Sequence, residues 1–187
     1  MIVTFLQNAW FHRPLFEGFE RDANGKAKRG SDGNGIPILL EPWSPKWRRV
    51  WIYATAISRS GARLRVMLGR DCFEREDMAF ADASPKVSYG NSAGRFDGDP
   101  EWVASELTLL KPTVVVCCGN EAIDTVTPVW HGPVVCVPHP TSRVVTNALY
   151  ADAGALLLKP GFHRRVRFYQ HIGGHGVQDL PAIAALQ

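Results

Sequence analysis

The sequence lacks the features of a membrane or secreted protein. No run of about 20 apolar residues is present, and a helix needs a run of that length to cross a bilayer. The N-terminal stretch MIVTFLQNAW has neither a basic region nor a small-residue cleavage site, so we expect no secretory signal. These absences predict a cytoplasmic protein that has no membrane partner.

Cysteine is scarce and is not spaced for a metal site. The four cysteines, Cys72, Cys117, Cys118 and Cys136, include no C-x-x-C pair, the spacing typical of zinc sites. Two of them are adjacent within an apolar run, which favours buried and reduced thiols. We therefore predict neither a metal ion nor another cofactor.

Charge of one sign is in small excess only. The formal net charge is +3, which permits a polyanionic partner without requiring one. A composition of 45% hydrophobic and 21% charged residues is typical of a globular protein. The length of 187 residues fits one domain. We predict a single domain over residues 1–187, with an insertion or loop region at 16–48 and a basic C-terminal tail at 160–187.

Short apolar runs alternate along the chain with segments of helical periodicity. Strands are predicted at residues 2–6, 78–83, 113–119 and 133–138, because these runs are short, apolar and bounded by turn residues. Helices are predicted around Trp43, Trp47 and Trp51, after Ser60-Gly61, after the cap Asp99, from Asn120 and from Thr146. This alternation predicts an α/β fold, a three-layer α/β/α sandwich with a short, mainly parallel four-stranded sheet.

Polar side chains follow each predicted strand at the point where it ends. In open parallel sheets, ligands bind outside the carboxyl ends of the strands, because the loops of neighbouring strands converge there. We therefore expect these side chains to share one edge of the sheet. They are Gln7 and Asn8, Asp82, Gly119 and Asn120, and finally His139, Thr141, Ser142 and Arg143.

The stretch VVCVPHPTSRVV places His139 between two prolines. Each proline fixes its own φ and restricts the residue before it to extended conformations, so the histidine side chain is aimed by its backbone. One interpretation is that the motif only ends a strand, with His139 hydrogen-bonded in the wall. The other is that His139 acts on a ligand at the edge of the sheet.

The segments VTFLQNAW and VPHPTSR together resemble motifs of the uracil-DNA glycosylase superfamily. Members of this family carry a water-positioning residue after the first strand and a His-Pro-Ser or Asn-Pro-Ser motif after the last. The segments SRSGARLRVMLG and LLKPTVVVCCGNEAIDTV are also similar, so the resemblance extends from Ile2 to about Leu158. It implies that Asn8 and His139 are catalytic.

The resemblance implies a monofunctional DNA glycosylase that flips a uracil or modified pyrimidine out of DNA and hydrolyses its N-glycosidic bond. His139 would donate a hydrogen bond to the leaving base, and Asn8 would hold the attacking water. Base-binding candidates are Gln7, Asp82, Phe16 and Phe19, with Phe11 and Trp43 as further stacking candidates. DNA-binding candidates are Ser60, Thr141, Ser142 and Arg143, of which Arg143 would fill the vacated space or bind phosphate.

The sequence departs from the family pattern at three places. Asn8 is flanked by Gln7 and Ala9, where the family has Gly and Pro. Asp82 stands where the family has a uracil-reading Asn, unless Asn91 has that role. Because an ionised carboxylate only accepts hydrogen bonds, Asp82 favours cytosine or a modified pyrimidine, or else is protonated. The first cysteine is Cys72, so the iron–sulfur cluster of some branches is not expected.

The sequence is also compatible with two other functions. One is a nucleic-acid-binding relative without turnover, and the other is an α/β enzyme that acts on a free nucleotide or nucleoside. The expected partner is DNA, single- or double-stranded, bound by a monomer in a bacterial cell or a phage-infected host. The basic segment HRRVRFYQH is interpreted as a solvated helix face in preference to a DNA clamp, with Arg164 and Arg165 as the alternative phosphate contacts.

Overall fold

A computed structural model describes most of the chain outside the predicted insertion. The described residues are 1–6, 9–11, 22–24, 26, 28–29, 59–85, 87–89 and 97–181, with the backbone alone at 9–11, 59 and 87–89. Several predictions fall outside them: the helix at 43–51, most of the insertion at 16–48, and the roles of Gln7, Asn8, Phe16, Phe19 and Asn91.

A mixed sheet of six described strands forms the centre of the fold, in the order β3-β1-β5-β6-β7-β8. Its strands are β1 (Ile2–Leu6), β3 (Met78–Asp82), β5 (Val114–Cys118), β6 (Val134–Val137), β7 (Arg165–His171) and β8 (Gly174–Asp179), while β2 (Ala9–Phe11) and β4 (Val87–Tyr89) form a separate parallel pair. The first five strands in the order are parallel and β8 is antiparallel. Valine fills β5 and β6 because both of their faces are covered.

Helices cover both faces of the sheet, which confirms the predicted three-layer α/β/α fold. The helices are α1 (Arg59–Leu68), α2 (Pro100–Leu110), α3 (Asn120–Val126) and α4 (Asn147–Leu157). Leu64 and Met67 of α1 and Leu149 of α4 share one core cluster. Val103 of α2 and Ile123 of α3 belong to the cluster on the other face. None of the described helices is long and apolar enough to cross a membrane.

The prediction of four strands was too low, because the basic tail contains two more. Arg165 and Arg167 alternate in β7 with Val166 and Phe168, which are buried against the sheet core. This alternation is the period of a strand with one buried face, so the expectation of a helix in HRRVRFYQH was wrong. Arg165 donates hydrogen bonds to the carbonyl oxygens of Thr127 (3.2 Å) and Gly132 (3.0 Å). These contacts lie where the parallel strands begin, which we call the amino edge of the sheet.

The start and the end of α2 follow the predicted capping signals. The Asp99 carboxylate accepts hydrogen bonds from the backbone N–H groups of Glu101 (3.1 Å) and Trp102 (3.0 Å). Pro100 occupies the first turn, where its missing N–H leaves no acceptor unsatisfied. Lys111 ends the helix in a left-handed conformation, with φ of 47°. The capping prediction at Asp99 is therefore confirmed.

Candidate active site

The carboxyl ends of four adjacent parallel strands, β3, β1, β5 and β6, lie in one row, which we call the carboxyl edge. Leu6 at the end of β1 pairs with Asp82 at the end of β3. On the other side of β1, Cys118 ends β5 and pairs with Val137 at the end of β6. Three strand spacings of 4.7–4.9 Å separate the β3 and β6 ends, a distance of about 14 Å. The edge therefore brings Asp82 and His139 to opposite sides of one surface.

The ring of His139 is fixed by the turn that follows it. The backbone N–H of Thr141 donates a hydrogen bond to His139 Nδ1 (3.2 Å), and the Thr141 hydroxyl oxygen lies 2.7 Å from the same nitrogen. The His139 carbonyl oxygen in turn accepts a hydrogen bond from the N–H of Ser142 (2.9 Å). Because an amide N–H can only donate, Nδ1 is an acceptor and the ring proton lies on Nε2.

Burial keeps this ring in the neutral form. His139 is half-buried, and desolvation lowers its pKa below the usual value, because the charged imidazolium loses hydration there. Among the described residues, none accepts a hydrogen bond from Nε2. His139 is thus a neutral ring whose Nε2–H can donate to a ligand.

Gly119, at the end of β5, gives the His139 ring its space. Its φ is +97°, a conformation that L side chains rarely adopt. A Cβ atom at this position would lie 3.1 Å from both Cβ and Cδ2 of His139. The predicted neighbours Gly119 and His139 are therefore brought into contact, and glycine is the residue that both the backbone and the packing require.

Tyr150 of α4 holds the backbone immediately before His139. Its side chain is fully buried, and its hydroxyl donates a hydrogen bond to the Pro138 carbonyl oxygen (2.6 Å). Burial raises the pKa of Tyr150 above the usual range, so the hydroxyl keeps its proton. Strand β6 therefore ends at a fixed position.

Arg63 of α1 fastens the histidine loop, which we define as residues 138–146. Its guanidinium donates hydrogen bonds of 2.6 Å to each of three carbonyl oxygens of the loop, those of Pro140, Ser142 and Val145. It also lies 5.8 Å from the centroid of the Tyr150 ring, a distance at which cations are attracted by aromatic faces. The loop that carries His139 is thus tied to a helix from a distant part of the chain.

Close contact between α1 and α4 makes this fastening possible. Gly154 of α4 lies against the backbone of α1, and a Cβ atom there would be 2.1 Å from the Met67 carbonyl oxygen. Sequence reasoning missed Arg63, because the carbonyl groups that it binds leave no mark in a sequence. The available signal was a pair of arginines, Arg63 and Arg65, among the apolar residues of SGARLRVML, and the sequence does not distinguish between the two.

The DNA-binding candidates of the histidine loop lie on the surface. Thr141 and Arg143 are exposed, while Ser142 is half-buried. Ser60 is in the first turn of α1, three residues before Arg63, which places it on the helical face that carries the loop. Ser60 and Arg63 thus share one face of α1, and the DNA contacts expected of Ser60, Thr141, Ser142 and Arg143 stay predictions.

Asp82 has an electrostatic environment that favours its protonated form. It is half-buried at the end of β3, and burial, together with the negative charge of Glu106 on α2, raises its pKa to about 7. The Trp102 indole N–H donates a hydrogen bond to the Asp82 carbonyl oxygen (3.1 Å), which fixes its backbone. A carboxyl group with this pKa is partly protonated near neutral pH and then both donates and accepts.

The cysteines belong to the core, as predicted. All four are free and buried. In the described part of the chain, no group of three or more His, Cys, Asp and Glu side chains could hold a metal ion.

Comparison with known proteins assigns the family. A model of the uracil DNA glycosylase superfamily matches residues 41–155, more than half of the chain. No curated protein and no solved structure matches the sequence significantly. The matched segment contains Arg63, Asp82, Gly119 and His139, and the α/β architecture is that of the family. The chain therefore belongs to the uracil DNA glycosylase superfamily.

Proposed function

We propose that this protein is a monofunctional DNA glycosylase, which flips a uracil or a modified pyrimidine out of DNA and hydrolyses its N-glycosidic bond. The observation that carries the proposal is the hydrogen bond from the Thr141 N–H to His139 Nδ1. It leaves Nε2–H of a neutral ring as a donor at the carboxyl edge, where ligands of parallel sheets bind.

His139 acts on the leaving base. Negative charge develops on the carbonyl oxygens of a pyrimidine as its bond to the sugar breaks. A fixed donor at such an oxygen stabilises the transition state more than the ground state. A neutral imidazole holds its remaining proton tightly, so His139 acts as a hydrogen-bond donor and does not transfer the proton.

Asn8 positions the attacking water. It follows β1 directly, and β1 lies between the strands that end at Asp82 and at Cys118. A side-chain amide does not take up a proton, so its contribution is the orientation of the water toward the sugar carbon. Arg143 of the histidine loop enters the duplex in the space that the flipped base vacates. Ser60, Thr141 and Ser142 contact the phosphate backbone of the DNA.

Asp82 reads the base, together with Gln7, Phe16 and Phe19. A protonated carboxyl group pairs with uracil, because it donates to the O4 atom and accepts from the neighbouring N3–H. An ionised carboxylate repels O4 and suits bases that present donors, such as cytosine. Its pKa of about 7 supports the first case at neutral and lower pH. The protonated form thus removes the need for an asparagine at this position.

Uracil release is expected to fall as the pH rises above about 7, the raised pKa of Asp82. Above that pH the protonated fraction drops about tenfold per pH unit, and the rate follows it. In Asp82→Asn the amide keeps a donor and an acceptor at every pH, so the fall disappears. Single-turnover rates on a uracil oligonucleotide between pH 5 and 9 measure both profiles.

Glu106→Gln is the matched control for this profile. It removes a negative charge that raises the pKa of Asp82, so the midpoint of the fall should move to lower pH.

Ionised Asp82 also lowers stability. The loss is absent below the unfolded pKa of 3.8, grows as the pH rises and is complete above about 7, so Asp82→Asn should be more stable than wild type at pH 8 and not at pH 4. In the rate measurement, the same dependence on pH in Asp82→Asn as in wild type would contradict base reading by Asp82.

A panel of oligonucleotides tests the proposed activity. Each carries one uracil, hydroxymethyluracil, modified cytosine or mismatch, in single- and double-stranded form, and abasic sites are scored after alkaline cleavage. Abasic sites are expected with wild type and should be strongly reduced in Asn8→Ala. Binding without abasic sites on any substrate would indicate a relative that has lost turnover, while turnover of free nucleosides without competition by DNA would indicate a nucleoside hydrolase.

A further inference from the structure

Residues 165–179 form a two-stranded ribbon, which projects beyond the carboxyl edge. β7 pairs with β6 only up to Arg167, but it pairs with β8 up to His171. Because β6 ends at Val137, about three residues of β7 extend past it, a length of about 10 Å. β7 is parallel to β6, so the ribbon projects on the side of the sheet where His139 lies.

Contacts within the ribbon hold its end in one shape. The turn passes through Gly173, whose φ is +89°. The Gln170 side-chain amide donates a hydrogen bond to the Gly174 carbonyl oxygen (2.5 Å), which closes the turn. Tyr169 lies over Gly176, where a Cβ atom would be 2.5 Å from the tyrosine hydroxyl. The ribbon is therefore braced along the part that no other strand supports.

The ribbon is also anchored to the elements that position His139. The Gln170 side-chain oxygen accepts a hydrogen bond from the backbone N–H of Thr146 (3.3 Å), the last residue of the histidine loop. His175 contacts the Asp152 carboxylate on α4, with 2.7 Å between Nε2 and Oδ2. The ribbon and the histidine loop thus form one surface of fixed geometry.

The tips of this surface are apolar, while the Asp152 carboxylate lies beside the ribbon against His175. Ile172 is fully exposed at the end of the ribbon. In the histidine loop, Arg143 is exposed and Val144 is 75% exposed. No aspartate or glutamate occurs between residues 165 and 178. Arg167 of β7 donates a hydrogen bond to the side-chain oxygen of Asn120 (3.0 Å), at the start of α3 on the carboxyl edge. A polyanion would meet no carboxylate of the ribbon before Asp179.

We propose that the ribbon is a second DNA-binding element, which enters a groove of duplex DNA beside the flipped nucleotide and places Ile172 against the base stack. The proposal rests on the proposed function, since it takes DNA as the ligand of the carboxyl edge. Two modes of binding are compatible with this shape. A two-stranded ribbon fits into the major groove, and an apolar tip that enters the minor groove partly unstacks neighbouring base pairs. Either mode stabilises a duplex from which one base has been extruded.

Ile172→Glu is expected to weaken binding to an unmodified duplex about tenfold, which is about 1.4 kcal/mol. The carboxylate loses the apolar contact with the bases and is repelled by the phosphates. Leu109→Glu is the matched control, because Leu109 is 75% exposed at the end of α2, on the opposite edge of the sheet. Its affinity should stay within about twofold of wild type, with fluorescence anisotropy as the measurement for all three proteins.

Rates on single-stranded substrate complete the test. Ile172→Glu should slow base release more on a duplex than on a single strand, because a single strand has no base stack that must be opened. Thermal melting of each variant verifies that it is folded, as expected for a change at a fully exposed side chain.

The outcomes separate this proposal from the proposed function. Duplex binding requires no base release. If the wild-type protein makes no abasic sites, the proposed function is wrong, while the duplex affinities still test the ribbon proposal. Equal duplex affinity of Ile172→Glu and wild type overturns the ribbon proposal, as does a wild type that binds no duplex. A dimer in sedimentation that Ile172→Glu dissociates would identify a second copy of the chain as the partner of the tip and would also overturn it.

Discussion

Replacement of His139 by alanine is expected to lower the single-turnover rate of base release about 10²- to 10³-fold, the effect of removing one fixed donor from an oxyanion site. The reason is the tautomer, because the Thr141 N–H occupies Nδ1 and leaves Nε2–H for the base. Duplex affinity should change little, since the hydrogen bond strengthens only as charge develops on the leaving base. Quenched-flow measurement of abasic sites on the preferred substrate gives the rate.

His131→Ala is the control for this experiment. His131 is an exposed histidine in the connection before β6, at the amino edge of the sheet. Its loss should leave the rate unchanged, so a shared decrease would indicate a general effect on the protein. Full activity of His139→Ala would exclude His139 from the reaction and would leave the Pro-His-Pro motif with a structural role only.

The elements that could be predicted from the sequence are those with a local cause. β5 and β6 are short apolar runs between turn residues, and each is buried on both faces of the sheet. α2 begins where Asp99 and Pro100 cap it and stops at Lys111. In each case, the residues that determine the element lie within it or next to it, so the local sequence is sufficient to predict it.

The features that were missed depend on contacts between distant segments. The arginines of HRRVRFYQH favour an exposed helix, whereas the burial of Val166 and Phe168 in β7 depends on pairing with β6. The raised pKa of Asp82 depends on burial and on Glu106, which is 24 positions further along the chain. The place of His139 at the end of a strand was predicted from its motif, but the tautomer of its ring depends on the geometry of the turn that follows. Charge and residue type thus indicate where a site lies more readily than how it is arranged.

Replacement of Arg63 by alanine is expected to lower both stability and the rate of base release. The three loop carbonyl groups that it binds would lose their partner, and a buried acceptor without a partner costs about 1–3 kcal/mol. Because the loop is half-exposed and water replaces part of the contact, we expect a loss of about 2–3 kcal/mol in the free energy of unfolding. Displacement of His139 by about 1 Å would slow the reaction about 100-fold. Urea denaturation and single-turnover rates measure the two effects.

The relation between these two losses distinguishes a positioning residue from a residue that only stabilises the fold. Arg63→Lys keeps the charge, but a single ammonium lacks the planar fork that spans Pro140, Ser142 and Val145, so the rate should stay low. Added methylguanidinium should restore part of the rate of Arg63→Ala, because it places the missing donors in the same site. Arg65→Ala, two positions along the same helix, is the control, since no described contact joins Arg65 to the histidine loop. If Arg63→Ala has a lower melting temperature but releases the base at the wild-type rate well below that temperature, Arg63 only stabilises the fold and does not position His139.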